Sequence, residues 1–85
     1  MKTFDYTITD EVGIHARPAG LLAKEVKKYT SKIEIEKDGK SADARRMMAI
    51  MGLGVKCGET VTVKAEGDDE EQAIEGMRAF MSANL

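Results

Sequence analysis

The chain has 85 residues, 42% of them hydrophobic, with one proline, one cysteine, one histidine, no tryptophan and a formal net charge of −2. This length supports one domain, residues 1–85, with a modest aliphatic core, and the slight acidity argues against nucleic acid as the main partner. One histidine and one cysteine make neither a zinc-type cluster nor an internal disulfide, and the N-terminal MKTFDYTITD lacks an apolar run, so no metal, no membrane insertion and a cytoplasmic location are expected.

Phe4, Tyr6 and Ile8 alternate with Asp5, Thr7 and Thr9, the period of a strand with one buried face. A glycine turn follows at Gly13. After Pro18, apolar residues fall at Ala19, Leu22, Ala23, Val26 and Tyr29, which is helical spacing. Pro18 suits the first turn of that helix, where a missing N–H costs nothing. Ile33 and Ile35 alternate with Glu34 and Glu36 as a second strand. Asp38-Gly39 is a type I′ hairpin signal leading to a short third strand around Ser41-Ala42-Asp43. Met47 to Met51 reads as a short helix stopped near Gly52 or Gly54. Thr60 to Ala65 alternates as a fourth strand. Asp69 and Gln72 have the spacing of a capping box, opening a C-terminal helix marked by Ala73, Ile74, Met77, Phe80 and Met81.

The order is β-α-β-β-α-β-α. A βαβ crossover makes its two strands parallel, whereas the tight hairpin makes its two antiparallel. Both demands are met when the fourth strand lies between the first and second. The predicted fold is therefore an α/β (α+β) open-faced sandwich: a four-stranded antiparallel sheet of order 1-4-2-3. Right-handed crossovers put all three helices on one face, and the Thr, Glu and Lys of the strands face water on the other.

The chain's only histidine and only proline share one stretch, Gly13-Ile14-His15-Ala16-Arg17-Pro18-Ala19-Gly20. His15 falls at or near the cap of the helix that Pro18 begins. Free backbone N–H groups and the positive dipole end gather there and stabilise an anion. The same field favours the neutral, nucleophilic imidazole. Arg17 adds a fixed positive fork suited to phosphate. A nucleophile, an anion site and an arginine together fit a transferred phosphoryl group. The same residues also fit a histidine that only caps a helix or sits solvated in a loop, and chemistry alone leaves that choice open.

GIHARPAG resembles the active-site motif of the HPr family, the histidine phosphocarriers of the bacterial sugar phosphotransferase system. The resemblance extends over the whole chain, including the DGKSADA and MGLGVKCGE segments of its second half. It implies that enzyme I, itself charged by phosphoenolpyruvate, phosphorylates His15 on Nδ1. The group then passes to the IIA component of a sugar permease. By position, His15 is the phosphoacceptor, Arg17 the phosphate partner, and the Ala16 and Arg17 amides the anion donors. No metal or organic cofactor is implied, and a monomer is expected.

A carrier needs a docking surface. The helix stripe leaves Leu21 on a different face, beside Arg17 and Gly20. The short helix is apolar nearly all round at Met47, Met48, Ile50 and Met51, yet it buries only one side. Ile50 is the expected core residue. The resemblance assigns Gly20, Leu21, Met47, Met48 and Met51 to the partner surface, where methionines adapt to successive partners. Read without it, the same methionines are core filler. Cys57 reads as an incidental loop thiol, and Lys24, Lys27 and Lys28 as a solvated helix face. Many members of the family carry at the position of Arg46 a serine that a dedicated kinase modifies. Arginine cannot accept that phosphate, so this regulation is not expected here. Two other readings stand beside the sugar carrier: a paralogue serving a regulatory or nitrogen-related phosphorelay, and a non-catalytic module that binds a regulator.

Overall fold

Alternation along four short strands decides the sheet. A computed structural model describes all 85 residues, in the order β1 (Lys2–Thr7), α1 (Ala16–Val26), β2 (Lys32–Lys37), β3 (Lys40–Asp43), α2 (Met47–Gly52), β4 (Thr60–Glu66) and α3 (Glu70–Asn84). The spatial order is β1-β4-β2-β3 with every neighbouring pair antiparallel. The register lines up Phe4, Val63, Ile35 and Ala42 in one row across all four strands, and all four are buried. The adjacent row is Asp5, Thr62, Glu36 and Ser41 on the opposite face. There Thr62 Oγ1 donates to Asp5 Oδ1 at 2.7 Å and Ser41 Oγ donates to Glu36 Oε1 at 3.4 Å. The Glu36 carboxylate also pairs with Lys64, which holds its pKa below and that of the lysine above the ordinary value. One face is thus hydrocarbon and the other a polar lattice in water.

The hairpin between β2 and β3 uses positive φ at both Asp38 (51°) and Gly39 (82°), the geometry that a type I′ turn requires. The helices cover the hydrocarbon face. Helix α1 buries Pro18, Ala19, Leu22 and Val26 there; α3 buries Ala73, Ile74, Met77 and Met81; α2 buries only Ile50.

Two local expectations are corrected. The first helix stops at Val26, so Tyr29 lies in the turn beyond it. Its ring packs on α3 at Gly76, where an added Cβ would come within 1.7 Å of the Tyr29 Oη. The apolar spacing reaches Tyr29 because its half-buried ring packs against the core, not because the helix continues. The capping box at Asp69 and Gln72 does not form. Asp69 is the N-cap of α3, but its side chain makes no cap bond. It accepts instead from the N–H groups of Thr30 and Ser31, both at 2.9 Å, and from the Ser31 hydroxyl. Ser31 is the buried polar residue of the interior, so a carboxylate that satisfies it outcompetes a local cap. At the helix start, Glu70 Oε1 accepts from Gly67 N–H at 3.3 Å and Oε2 pairs with the N-terminal amine at 3.0 Å.

Candidate functional site

The loop before α1 is fixed from below. Ile8 exchanges backbone bonds with the segment leading into β4: its N–H donates to Glu59 O at 2.9 Å and its carbonyl accepts from Gly58 N–H at 2.8 Å. Gly13 adopts φ 80° and lies flat on Val55, whose carbonyl oxygen would be 2.3 Å from an added Cβ. A side chain there meets both left-handed backbone and hard backbone atoms, so only glycine fits. The next residue, Ile14, is buried and donates its N–H to that same carbonyl at 3.0 Å. The Val55 segment is itself braced: Glu59 Oε1 accepts from Lys56 N–H at 2.7 Å and pairs with Lys37 at 3.0 Å. The Lys37 ammonium, then the Lys56 amide, hold the Glu59 carboxyl below the usual carboxylate range.

His15 follows directly on this anchor. It is the N-cap of α1, in extended backbone (φ −113°, ψ −172°), and its carbonyl accepts the first helical bond from Ala19 N–H at 2.9 Å. Its side chain makes no cap bond and is 40% exposed. The His15 backbone is therefore fixed while its ring is not spent on the helix. The amides of Ala16 and Arg17 have no acceptor in the protein, and Pro18 has none to offer. The Arg17 guanidinium is exposed and enters no ion pair. Two free N–H donors, a free cation and a free imidazole thus meet at one helix start, where an anion is stabilised.

An open depression of about 240 Å³ lies over this point, lined by Asp10, His15, Arg17, Pro18, Leu21, Ala83 and Asn84. The depression therefore brings together His15, Arg17 and Leu21, with the Ala16 amide at the same helix start. It also adds Asp10 and the end of α3. Asp10 Oδ1 stands 3.9 Å from His15 Nε2. The only local signal for this carboxylate is that an Asp three residues before Gly13 favours a turn. The Asp10 N–H donates to the Leu85 carbonyl at 2.9 Å, a closure between chain ends that no local pattern reveals.

Leu21, which lines the depression, is 40% exposed; on α2, Met47 is 37% and Met48 72% exposed. Gly20 faces α2: an added Cβ would sit in ordinary contact, 3.5 Å, with the Met47 sulfur. Ile50 is fully buried, as expected. Met51 is only partly exposed and packs against the core, so it adds less to the apolar surface than Met48. Arg46 is the N-cap of α2 without a side-chain bond, in a helix with no acid in its first turn. Arg45 turns back to donate from Nη2 to the Tyr29 carbonyl at 3.1 Å. Cys57 is exposed, its thiol 3.8 Å from the Thr9 carbonyl. No group of His, Cys, Asp and Glu side chains is arranged to hold a metal ion, and no helix is long and apolar enough to cross a membrane.

Residues 2–83 match the family described as "PTS HPr component phosphorylation site". The phosphocarrier protein HPr of Mycoplasma capricolum is 41% identical over 81 residues, 95% of this chain and 91% of that protein. A solved mycoplasma histidine-containing phosphocarrier protein superposes with a TM-score of 0.92 at 39% identity, covering 96% of this chain and 93% of that one. Crh of Bacillus subtilis, described as a catabolite repression protein and as a domain-swapped dimer, superposes at 0.79 with 35% identity, covering 100% and 98%.

Proposed function

The chain belongs to the HPr family of the phosphotransferase system, and on that premise we propose that it accepts a phosphoryl group on His15 from phosphorylated enzyme I and passes it to IIA components of sugar permeases. Residues 1–85 act as one HPr-like domain, in the cytoplasm and without a cofactor. The observation that carries this reading is the unspent chemistry at one helix start: an exposed imidazole, two amides without acceptors and an arginine without a partner.

The mechanism follows from charge. A ring nitrogen lone pair attacks phosphorus, and the bond from phosphorus to the donor's leaving group breaks with its electrons. The phosphoryl oxygens carry negative charge throughout. The Ala16 and Arg17 amides and the Arg17 guanidinium supply donors already in place, which need no reorganisation. Passing the group onward reverses the step. The site is shallow and exposed, so that two partners in turn can reach it. Leu21, Met47 and Met48, with Gly20 and the edge of Met51, form the docking surface.

The monomer is the working form. The Ile8–Gly13 segment that joins β1 to α1 is tied to Glu59, Gly58 and Leu85 of the same chain by backbone bonds, which supports this form. The likeness to Crh, described as a catabolite repression protein, favours a second reading, a regulatory role for this chain. A module that never carries phosphate has no use for an unbonded His15 and an unpaired Arg17.

Incubation with enzyme I and phosphoenolpyruvate, followed by intact mass, tests the proposal. One added phosphoryl group is expected, lost in acid and absent in His15→Ala. No added mass, or an acid-stable phosphate, overturns it.

A further inference from the structure

We propose that Asp10 is a positioning residue that commits the two nitrogens of His15 to different tasks, reserving Nδ1 for the phosphoryl group. The inference rests on the phosphohistidine reading above and deepens it. Three bonds fix Asp10. Its N–H donates to the Leu85 carbonyl at 2.9 Å, its carbonyl accepts from Gly13 N–H at 3.0 Å, and its Oδ1 accepts from Val12 N–H at 2.9 Å. That same Oδ1 faces His15 Nε2 at 3.9 Å. The carboxylate is thus built into the turn, rather than carried on a mobile side chain.

Two consequences follow from its charge. An approaching phosphoryl group is anionic and is repelled from the Nε2 side, while Arg17 and the free amides attract it elsewhere in the same depression. A carboxylate also favours a proton on the nitrogen it faces, which leaves the lone pair on the other. In the transfer step the Nδ1 lone pair forms the bond to phosphorus. The bond to the leaving group breaks with its electron pair. The proton stays on Nε2, and the ring becomes a cation facing Asp10. When the group leaves, the N–P electrons return to Nδ1 and the ring departs neutral, its Nε2 proton still in place. Among the residues that line the depression, the charged ones beside His15 are Asp10 from the preceding turn and Arg17 from α1; α3 contributes the neutral Ala83 and Asn84.

The test uses the whole chain and potassium phosphoramidate, a chemical phosphoryl donor that needs no partner protein. Early products on His15 are assigned to Nδ1 or Nε2 by nitrogen and phosphorus NMR, in wild type, Asp10→Asn, Asp10→Ala and Asp10→Glu. Asn keeps an oxygen for Val12 N–H, and urea melts verify that each variant is folded. Wild type should carry phosphate on Nδ1 alone. Asp10→Asn and Asp10→Ala should show the Nε2 product as well, and Asp10→Glu should restore selectivity. Unchanged product position in Asp10→Asn and Asp10→Ala overturns the proposal, as does Nε2 product in wild type. A chain that reacts selectively with phosphoramidate but is not charged by enzyme I contradicts the carrier reading and leaves this one supported.

Discussion

At the scale of single residues, the informative side chains are those that the fold leaves unpaired. The Arg17 side chain makes no bond in the folded protein, so its charge is free for a ligand. Arg17→Ala should slow phosphoryl transfer at least about tenfold, a barrier increase of ~1.4 kcal/mol. Stopped reactions with enzyme I would measure the rate, and the melting temperature should stay within a degree or so. Asp69 is the opposite case, a carboxylate fully used. The Ser31 hydroxyl, then the Thr30 amide, hold its pKa below the ordinary aspartate value. A lowered folded value means stability that is complete above the unfolded value of about 4 and lost as pH falls through the folded one. Urea melts of wild type and Asp69→Asn should therefore differ most at neutral pH and converge in acid.

Among the elements, the turn into α1 and the short helix α2 carry the functional argument. Gly13→Ala forces a positive φ on a residue with a Cβ and drives that atom into the Val55 carbonyl. It should cost about 1–3 kcal/mol in a urea melt. It should also slow phosphorylation, because Ile14 and His15 shift with the turn. Met48→Glu places a charge on the most exposed methionine of α2 without touching His15. Titration should show weaker binding to enzyme I and to IIA together, because the proposed function assigns both to one surface. The sheet, the hairpin and the helix start at His15 were legible in the sequence because each is written in neighbours: alternation in β4, Asp38-Gly39, and proline in the first turn. What was not legible depends on distant chain. Tyr29 continues the helical spacing, but its place is decided by Gly76 on α3. Asp69 has a capping spacing, but a buried Ser31 claims it. Asp10 becomes part of the site through its turn and the Leu85 carbonyl.

For the molecule as a whole, the antiparallel 1-4-2-3 order has one functional consequence. All three helices lie on a single face, the N-terminus of α1 and the end of α3 meet at one shallow site, and α2 presents its exposed methionines from its place against α1. A donor and an acceptor protein can therefore use the same surface only in turn, which is what a carrier between two partners requires. The claim that this chain hands on what it receives is tested by a single-turnover transfer. The protein is charged with enzyme I and phosphoenolpyruvate, freed of both, and mixed with an excess of a sugar-permease IIA component. Phosphorus NMR then follows the group. The phosphohistidine signal of this chain should decay as a phosphorylated IIA signal rises in equal amount. A phosphohistidine that only hydrolyses to inorganic phosphate, at the same rate with and without IIA, would contradict the account.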